Sequence, residues 1–292
     1  MHTYYSVDGE FAPAELVSMC HQAGIRTMSI SDHNCVKANE EAITCAERLN
    51  IRYIPAVEID CVYRDVELHL LGYQINYKSP DFDVVEKNLR EQCSRYSAEI
   101  HALTEQMGFK IGKEELVAAR GDAYWKELWT GETIAQILLG KPEYLDNEIL
   151  RPYRLGGARS DNPRVNFYWD YYAPGKTCYA ELRYPDFKHV LELIKDNGGK
   201  AVIAHPNVNF RNFPEVFEDI LGLGVDGVEA FCSYHDRESA EHYSREARKQ
   251  GLVVTIGSDF HGKTKPNVRL GEDWGMSETE SRELSAYIED VM

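Results

Sequence analysis

Short apolar segments alternate with longer amphipathic segments over most of the chain, and this alternation strongly constrains its fold. The apolar segments resemble buried strands, while the amphipathic segments have the spacing of helices. Alternating strands and helices are typical of an α/β core. The predicted strands are 26–31, 52–59, 66–74, 200–204, 225–232 and 252–257, and the predicted helices are 13–23, 38–49, 186–197, 213–222, 236–250 and 277–290.

The segment 80–178 interrupts this pattern. It begins with a long polar helix near 82–107 and continues with clusters of Gly, Pro, Arg and aromatic residues, without a strand of the core type. We therefore expect an inserted, mainly helical subdomain that separates a first part of the core, 1–79, from a second part, 179–292. Insertions at one end of such a core commonly cover an active site.

Charge and cysteine content restrict the partners and the compartment of this chain. With 48 Asp and Glu against 32 Lys and Arg, the formal net charge of −16 disfavours long nucleic acid and anionic membranes. There is no apolar run of about 18 residues, and the first residues do not resemble a secretory signal. The seven Cys residues form no CxxC pair, as expected for reduced thiols of a cytoplasmic protein. The oligomeric state is left open.

Imidazole and carboxylate side chains recur where predicted strands end. In a barrel of parallel strands these ends converge on one mouth, so the side chains would meet there. A mixture of neutral imidazole nitrogens and anionic carboxylate oxygens suits Zn, Mn or Fe(II). Because a carboxylate can bridge two cations, several carboxylates among the imidazoles favour a site with more than one metal. One such histidine alone is usually structural, and only the repetition indicates a metal site. The residues are His2, His33, His69, His205 and His261 with Asp8, Asp32, Glu58 and Asp259.

The order of these motifs resembles a known family. H-T-x-x-S-x-D-G, S-D-H-N, V-E-I, H-L-L-G, A-H-P and G-S-D-F-H follow one another as in the PHP (polymerase and histidinol phosphatase) superfamily. The resemblance covers 1–75 and 180–265. The insertion, with APGKTCY at 173–179, is similar to the branch that includes the 3′,5′-nucleotide bisphosphate and AMP phosphatases. This resemblance implies a distorted (β/α)7 barrel, in which the insertion forms the helical subdomain, and a trinuclear metal centre.

The resemblance also implies the ligands of two to three divalent ions, which we expect to be Mn, Zn or Fe. Asp32 would orient a ligand or a proton, and Asp60 has a weaker claim to a place in the site. One metal would be bound by His2, Glu58 and Asp259, a second by Glu58, His69 and His205, and a third by Asp8, His33 and His261.

The chain departs from the family at its first motif. The family begins with D-x-H-x-H, whereas this chain begins at Met1-His2, so the first histidine and most of its strand are missing. Two hypotheses account for this: a start site assigned too late, or a truncation that the site tolerates. In either case we expect the metal bound by His2 to be the weakest. Metal counting on this chain and on one extended upstream would test this hypothesis.

The predicted activity is a metal-dependent phosphoesterase that acts on a small phosphorylated metabolite, a nucleotide-like phosphomonoester or cyclic phosphate. A metal-bridging hydroxide would attack phosphorus, and loss of Glu58 would be the most damaging change. His235 or Tyr234 would protonate the leaving group, with Lys176, Arg154 or Tyr234 contacting the substrate. The alternatives are an exonuclease on short oligonucleotides, a histidinol phosphatase, and a metal-binding module without turnover.

Overall fold

The computed structural model describes residues 1–291, in which strands and helices alternate as predicted. All six predicted strands are present, and the segment 52–59 is divided at Pro55 between two strands. The strands are β1 (Thr27–Met28), β2 (Arg52–Tyr53), β3 (Ala56–Tyr63), β4 (Val66–Tyr73), β5 (Lys200–Ile203), β6 (Gly227–Cys232) and β7 (Val253–Gly257). The helices are α1 (Pro13–Gln22), α2 (Ala38–Arg48), α3 (Pro80–Gln106), α4 (Lys113–Arg120), α5 (Gly131–Gly140), α6 (Pro163–Tyr171), α7 (Phe187–Asp196), α8 (Pro206–Phe210), α9 (Pro214–Leu221), α10 (Arg237–Lys249) and α11 (Glu278–Val291).

The strands form two open sheets. β1 and β2 pair in parallel, and the other five strands form a sheet in the order β3-β4-β5-β6-β7. In this sheet β5, β6 and β7 are parallel, whereas β4 is antiparallel to both of its neighbours. The α/β class is therefore confirmed, but the hydrogen-bonded strands of residues 1–291 do not close into a (β/α)7 barrel.

The antiparallel direction of β4 corrects the expectation of an all-parallel core. Arg64 and Asp65 alone connect β3 to β4, and their φ angles are positive, 48° and 63°. Two-residue turns with positive φ at both positions form hairpins, whereas parallel strands need a crossover of a dozen or more residues. The turn therefore dictates antiparallel pairing, and it places Glu58 of β3 and His69 of β4 on neighbouring strands.

Helix α7 shows how the core of the five-stranded sheet is built. The Asp186 carboxylate accepts a hydrogen bond from the Lys188 backbone N–H at 2.9 Å and so caps the first turn. The helix is followed by Gly198, whose φ of 75° suits the reversal after a helix. Between these ends the apolar residues recur with helical spacing and are buried against the sheet, as are apolar residues of α9 and α10. These buried residues of α7 are Phe187, Val190, Leu191 and Ile194.

The opening segment lies between the residues that follow β1 and those that follow β7. The Met1 carbonyl accepts a hydrogen bond from Ser31 N–H at 3.0 Å, and His2 N–H donates to the Phe260 carbonyl at 2.9 Å. Backbone hydrogen bonds to neighbours on both sides are typical of a strand inside a sheet. These bonds fix the position of the His2 side chain.

The chain divides into two compact units. The core unit comprises Met1–Glu86 with the residues from Tyr184 onward, and the helical unit comprises Lys87–Arg183. The sequence places these boundaries near 80 and 178. The helical unit has its own buried aromatic core, in which the Tyr172 hydroxyl lies 2.6 Å from the Thr104 hydroxyl. Within residues 1–291, no helix combines the length and the apolar character that crossing a bilayer requires.

Candidate metal centre

Five imidazoles and four carboxylates of the core unit lie in one cluster. His33 follows β1 and pairs with Glu58 of β3 as an isolated parallel bridge, which joins the two sheets at the site. The other members come from the opening segment, from β3 itself, from the middle of β4, and from the residues shortly after β5 and β7. The members are His2, Asp8, His33, Glu58, Asp60, His69, His205, Asp259 and His261.

Glu58 is the central carboxylate of this cluster. Its Oε1 lies 2.7 Å from His69 Nδ1 and 3.1 Å from His205 Nε2, and its Oε2 lies 3.3 Å from His2 Nε2. Burial raises the pKa of the Glu58 carboxyl, but the charge of His33 and the contacts with three imidazoles outweigh burial, so its pKa is well below the ordinary value. Glu58 is therefore an anion shared by three imidazoles.

The hydrogen bonds at Nδ1 show which nitrogen each imidazole turns inward. His2 Nδ1 lies 3.0 Å from Ser6 Oγ, and since that hydroxyl donates to Asp32, His2 Nδ1 carries a proton. His261 Nδ1 lies 2.8 Å from the Asp259 backbone carbonyl, which only accepts, so it also carries a proton. When such a ring is neutral, its lone pair is on Nε2, the arrangement typical of imidazoles that bind a metal through Nε2.

Both of these Nε2 atoms lie close to carboxylate oxygens. His2 Nε2 lies 2.8 Å from Asp259 Oδ1, and His261 Nε2 lies 3.2 Å from Asp8 Oδ2. Neither nitrogen has a hydrogen bond partner in residues 1–291, nor does Asp8 Oδ1, although all three atoms are buried. Buried polar atoms without partners are rare and call for an unseen ligand or ion. The donor set therefore fits divalent cations, which nitrogen and oxygen ligands of this kind bind.

Three groups of side chains have ligand atoms within 4.8 Å of one another. One group matches the first predicted set. The second group has His33 where the prediction has His205, and the third has His2 where the prediction has Asp8. His205 and Asp8 nonetheless lie next to these groups, through Glu58 and His261. The structure brings all eight predicted ligands together, while their assignment to individual ions stays a prediction. The groups are His2, Glu58 and Asp259; His33, Glu58 and His69; and His2, His33 and His261.

Asp60 has a larger part in the geometry than the sequence indicates. Its Oδ1 lies 3.0 Å from His33 Nδ1 and 3.4 Å from His69 Nε2, while its Oδ2 accepts from Asn34 Nδ2 at 2.7 Å. This carboxylate therefore fixes the orientation of two neighbouring imidazoles. Its position two residues after Glu58 on a strand, on the same face, is the sequence signal for this role.

Glu229 of β6 is a site residue that the sequence analysis missed. Its Oε2 accepts from His205 N–H at 3.1 Å, at a backbone position where His205 has a positive φ of 24°. A Cβ at Gly257 would lie 1.8 Å from Glu229 Oε1, so only glycine there leaves room for the carboxylate. Burial raises the pKa of Glu229 to about 7. A lone glutamate in an otherwise apolar strand was the available signal, because buried carboxylates rarely lack a partner.

Asp32 acts on the cluster through the opening loop instead of contacting its centre. Its carboxylate accepts from Thr3 N–H at 2.6 Å, from Thr3 Oγ1 at 2.7 Å and from Ser6 Oγ at 2.9 Å. Ser6 Oγ in turn contacts His2 Nδ1 and accepts from His33 N–H at 2.9 Å. Asp32 is therefore placed to position His2 rather than to take part in chemistry.

Replacing Asp32 with asparagine is expected to weaken Mn²⁺ binding by about 10- to 100-fold, the usual cost of losing a group that orients a metal ligand. The amide nitrogen cannot accept a hydrogen bond, so the loop that holds His2 loses part of its support. A Mn²⁺ titration of the variant measures this effect. Asp196→Asn, an exposed substitution at the end of α7, is the matched control. Equal Mn²⁺ affinity of both variants would contradict the positioning role.

The two residues expected to protonate a leaving group lie in different environments. His235 Nδ1 lies 2.6 Å from the Ala230 carbonyl, and its Nε2 accepts from Asn207 N–H at 3.2 Å. Burial lowers the pKa of His235, and with both nitrogens bonded to backbone this geometry disfavours an acid role. The Tyr234 hydroxyl instead donates to Asp259 Oδ2 at 2.6 Å. Burial and the charge of Asp259 raise its pKa, so Tyr234 remains a protonated donor at the edge of the cluster.

The two basic residues proposed as substrate contacts belong to the helical unit. The Arg154 guanidinium donates to the Leu139 carbonyl at 3.0 Å and to the Tyr144 carbonyl at 2.9 Å. These bonds support the fold of that unit and disfavour a substrate role for Arg154. Lys176 is exposed, and its role as a substrate contact stays a prediction.

A cavity of about 760 Å³ lies in the core unit beside the cluster. Glu58, Glu229 and Asp259 line its polar part, and Met1 lies at its wall. In the described residues, β1 and β7 each have one strand neighbour, and both border this cavity. The space therefore lies beside the opening segment.

Comparison with known proteins agrees with this geometry. The PHP domain family matches residues 1–130. A 5′-3′ exoribonuclease of Haemophilus influenzae is 23% identical over 87% of this chain and 86% of its own length. A 3′,5′-nucleoside bisphosphate phosphatase of Chromobacterium violaceum is also 23% identical, over 87% of this chain and 83% of its own.

A solved structure shows the same fold over nearly the whole chain. It is described as a metal-dependent phosphoesterase from Bifidobacterium adolescentis and matches with a TM-score of 0.73 at 24% identity. The match covers 98% of this chain and 93% of the other. The motifs and the fold therefore agree with the match of residues 1–130 to the PHP domain family.

Proposed function

We propose that the chain is a metal-dependent phosphoesterase that hydrolyses a small, nucleotide-like phosphorylated metabolite. The observation that carries this proposal is the pair of buried imidazole nitrogens, His2 Nε2 and His261 Nε2, that lie 2.8 Å from Asp259 Oδ1 and 3.2 Å from Asp8 Oδ2 and have no hydrogen-bond partner in residues 1–291. The match of residues 1–130 to the PHP domain family and the names of the two relatives support the same reaction class.

Two or three ions of Mn, Zn or Fe(II) would suit this centre. The donors are imidazole nitrogens and carboxylate oxygens, without a thiolate in the three groups of the described residues, and these ions accept that mixture. Bound there, they would lower the pKa of a coordinated water and neutralise charge on phosphate oxygens. Glu58 would be the ligand common to two of the ions, because three imidazoles contact its carboxylate.

The residues of the chain hold this centre in a fixed geometry. Asp60 orients His33 and His69, and Asp32 supports His2 through Ser6. Such preorganised groups need no rearrangement when charge develops on a transferring phosphoryl group, which is where catalysis of this reaction mainly arises.

We also propose that the two sheets are parts of one distorted barrel. The isolated bridge between His33 and Glu58 connects them on one side. On the other side Met1 and His2 connect the residues that follow β1 and β7. Both connections lie at the metal centre, which they support.

A second candidate is 5′-3′ hydrolysis of short RNA, which the name of the Haemophilus influenzae relative favours. A net charge of −16 disfavours long nucleic acid but not a few nucleotides bound at one end. The other relative acts, by its name, on a 3′,5′-nucleoside bisphosphate. Both substrates carry a nucleotide phosphate, so the same centre could serve either.

A substrate panel separates these candidates. With Mn²⁺ present and metals counted in the same preparation, we expect release of inorganic phosphate from nucleoside monophosphates or 3′,5′-bisphosphates, or opening of a cyclic phosphate. Faster release of mononucleotides from a 5′-phosphorylated pentaribonucleotide would favour the exoribonuclease. Failure of the fully loaded chain to hydrolyse any of these would overturn the proposed function.

A further inference from the structure

Lys265 places a positive charge directly against the metal centre. Its Nζ contacts Asp259 Oδ2 and the Tyr234 hydroxyl, and it lies 5.1 Å from the centroid of the Tyr234 ring. Asp259 is buried, whereas 27% of the Lys265 side chain is exposed. The ammonium therefore lies between the cluster and solvent, beside a phenol that is itself partly exposed.

The loop that carries Lys265 is attached to the ligand segments. Lys265 N–H donates to the Gly262 carbonyl at 3.0 Å, directly after His261. The neighbouring Thr264 Oγ1 donates to the Asp8 carbonyl at 2.6 Å, and Lys263 N–H donates to Glu10 at 2.6 Å. The position of Lys265 is therefore set by the loops that present Asp8 and His261.

The two oxygens of Asp259 face different partners. Oδ1 lies 2.8 Å from His2 Nε2, on the side of the predicted metal ligands. Oδ2 faces Lys265 and Tyr234, on the side of solvent. A cation ligated by Asp259 would draw charge from this carboxylate and weaken its hold on the ammonium. Lysine carries its charge on a flexible stem, so Nζ can then turn to an incoming anion.

We propose that Lys265, with the Tyr234 hydroxyl beside it, binds the phosphate of the substrate at the solvent side of the metal centre. This inference rests on the proposed function and names one of its specificity residues. The ligand class is a phosphate ester with at least two anionic oxygens, one side of which faces the cations. An ammonium and a phenol together offer hydrogen bonds to the remaining oxygens.

Replacing Lys265 with methionine tests this proposal. Because hydrogen bonds to charged groups contribute roughly 1.5–3 kcal/mol, we expect inorganic phosphate to bind the Mn²⁺-loaded variant about 10- to 100-fold more weakly in calorimetry. KM for an aryl phosphate should rise in parallel, with a smaller change in kcat and an unchanged Mn²⁺ content. Lys265→Arg keeps the charge and should retain most of the affinity. Lys263→Met, which removes a 78% exposed ammonium from the same loop, is the control and should bind phosphate as the unaltered chain does.

Two results would overturn the inference. One is phosphate affinity and KM within twofold of the unaltered chain in Lys265→Met, with a change only in Mn²⁺ affinity, which would make Lys265 a counter-ion of Asp259. The other is an equal loss of phosphate affinity in Lys263→Met, which would indicate a general charge effect. If the unaltered chain hydrolyses no ester but binds phosphate in a Lys265-dependent way, the inference stands and the proposed function fails.

Discussion

Replacing Glu58 with glutamine is expected to lower phosphate release by more than about 100-fold and to reduce the metal content of the purified chain. Substitution of groups that only orient ligands already costs about 10- to 100-fold, and Glu58 itself contacts three imidazoles, those of His2, His69 and His205. Glutamine keeps the volume of the side chain but removes the negative charge that two cations would share. Phosphate release and elemental analysis of one preparation measure both effects.

The control for this variant is Glu192→Gln, an exposed substitution on α7 that lies outside the cluster. It should retain the activity and metal content of the unaltered chain. Full metal content in Glu58→Gln, together with activity within tenfold of the unaltered chain, would show that Glu58 is not the shared ligand.

Much of the fold is predictable from this sequence because the spacing of apolar residues agrees with the residues that begin and end each helix. In α7 the apolar spacing, the capping Asp186 and the following Gly198 all mark the same element. The site is predictable for a similar reason, since His33, His205 and His261 each follow a strand. Local sequence thus determines which side chains arrive at the edge of the sheet.

The direction of β4 and the partners of two side chains are not evident from residue types alone. The antiparallel β4 follows from a turn at Arg64 and Asp65, residues that do not usually adopt positive φ. His235 follows a strand of the core in the sequence, as the metal ligands do. Its two ring nitrogens, however, bond to the Ala230 carbonyl and the Asn207 backbone N–H. In the sequence Arg154 resembles a cation available to a substrate, but its guanidinium donates to two backbone carbonyls of the helical unit. Tertiary contacts decide the last two cases, whereas the short turn decides the first.

Addition of Mn²⁺ to the metal-free chain is expected to raise the melting temperature of the core unit by about 5–10 °C. Binding at a concentration about 100 times Kd contributes about 2.7 kcal/mol, and each kcal/mol shifts the melting temperature by about 2–4 °C in a unit of this size. The physical reason is that His2 Nε2, His261 Nε2 and Asp8 Oδ1 are buried without partners, and a bound ion would satisfy them. Thermal unfolding followed by circular dichroism, with and without Mn²⁺, measures the shift.

The same experiment on Glu58→Gln separates a specific site from general ion binding. If the shift arises at the cluster, the variant should lose most of it, because its central anion is gone. Mn²⁺ bound to scattered surface carboxylates, of which a chain with 48 Asp and Glu has many, would instead shift both proteins equally. An unchanged melting temperature of the unaltered chain with Mn²⁺, Zn²⁺ and Fe²⁺ would mean that the unpartnered imidazole nitrogens do not bind a metal.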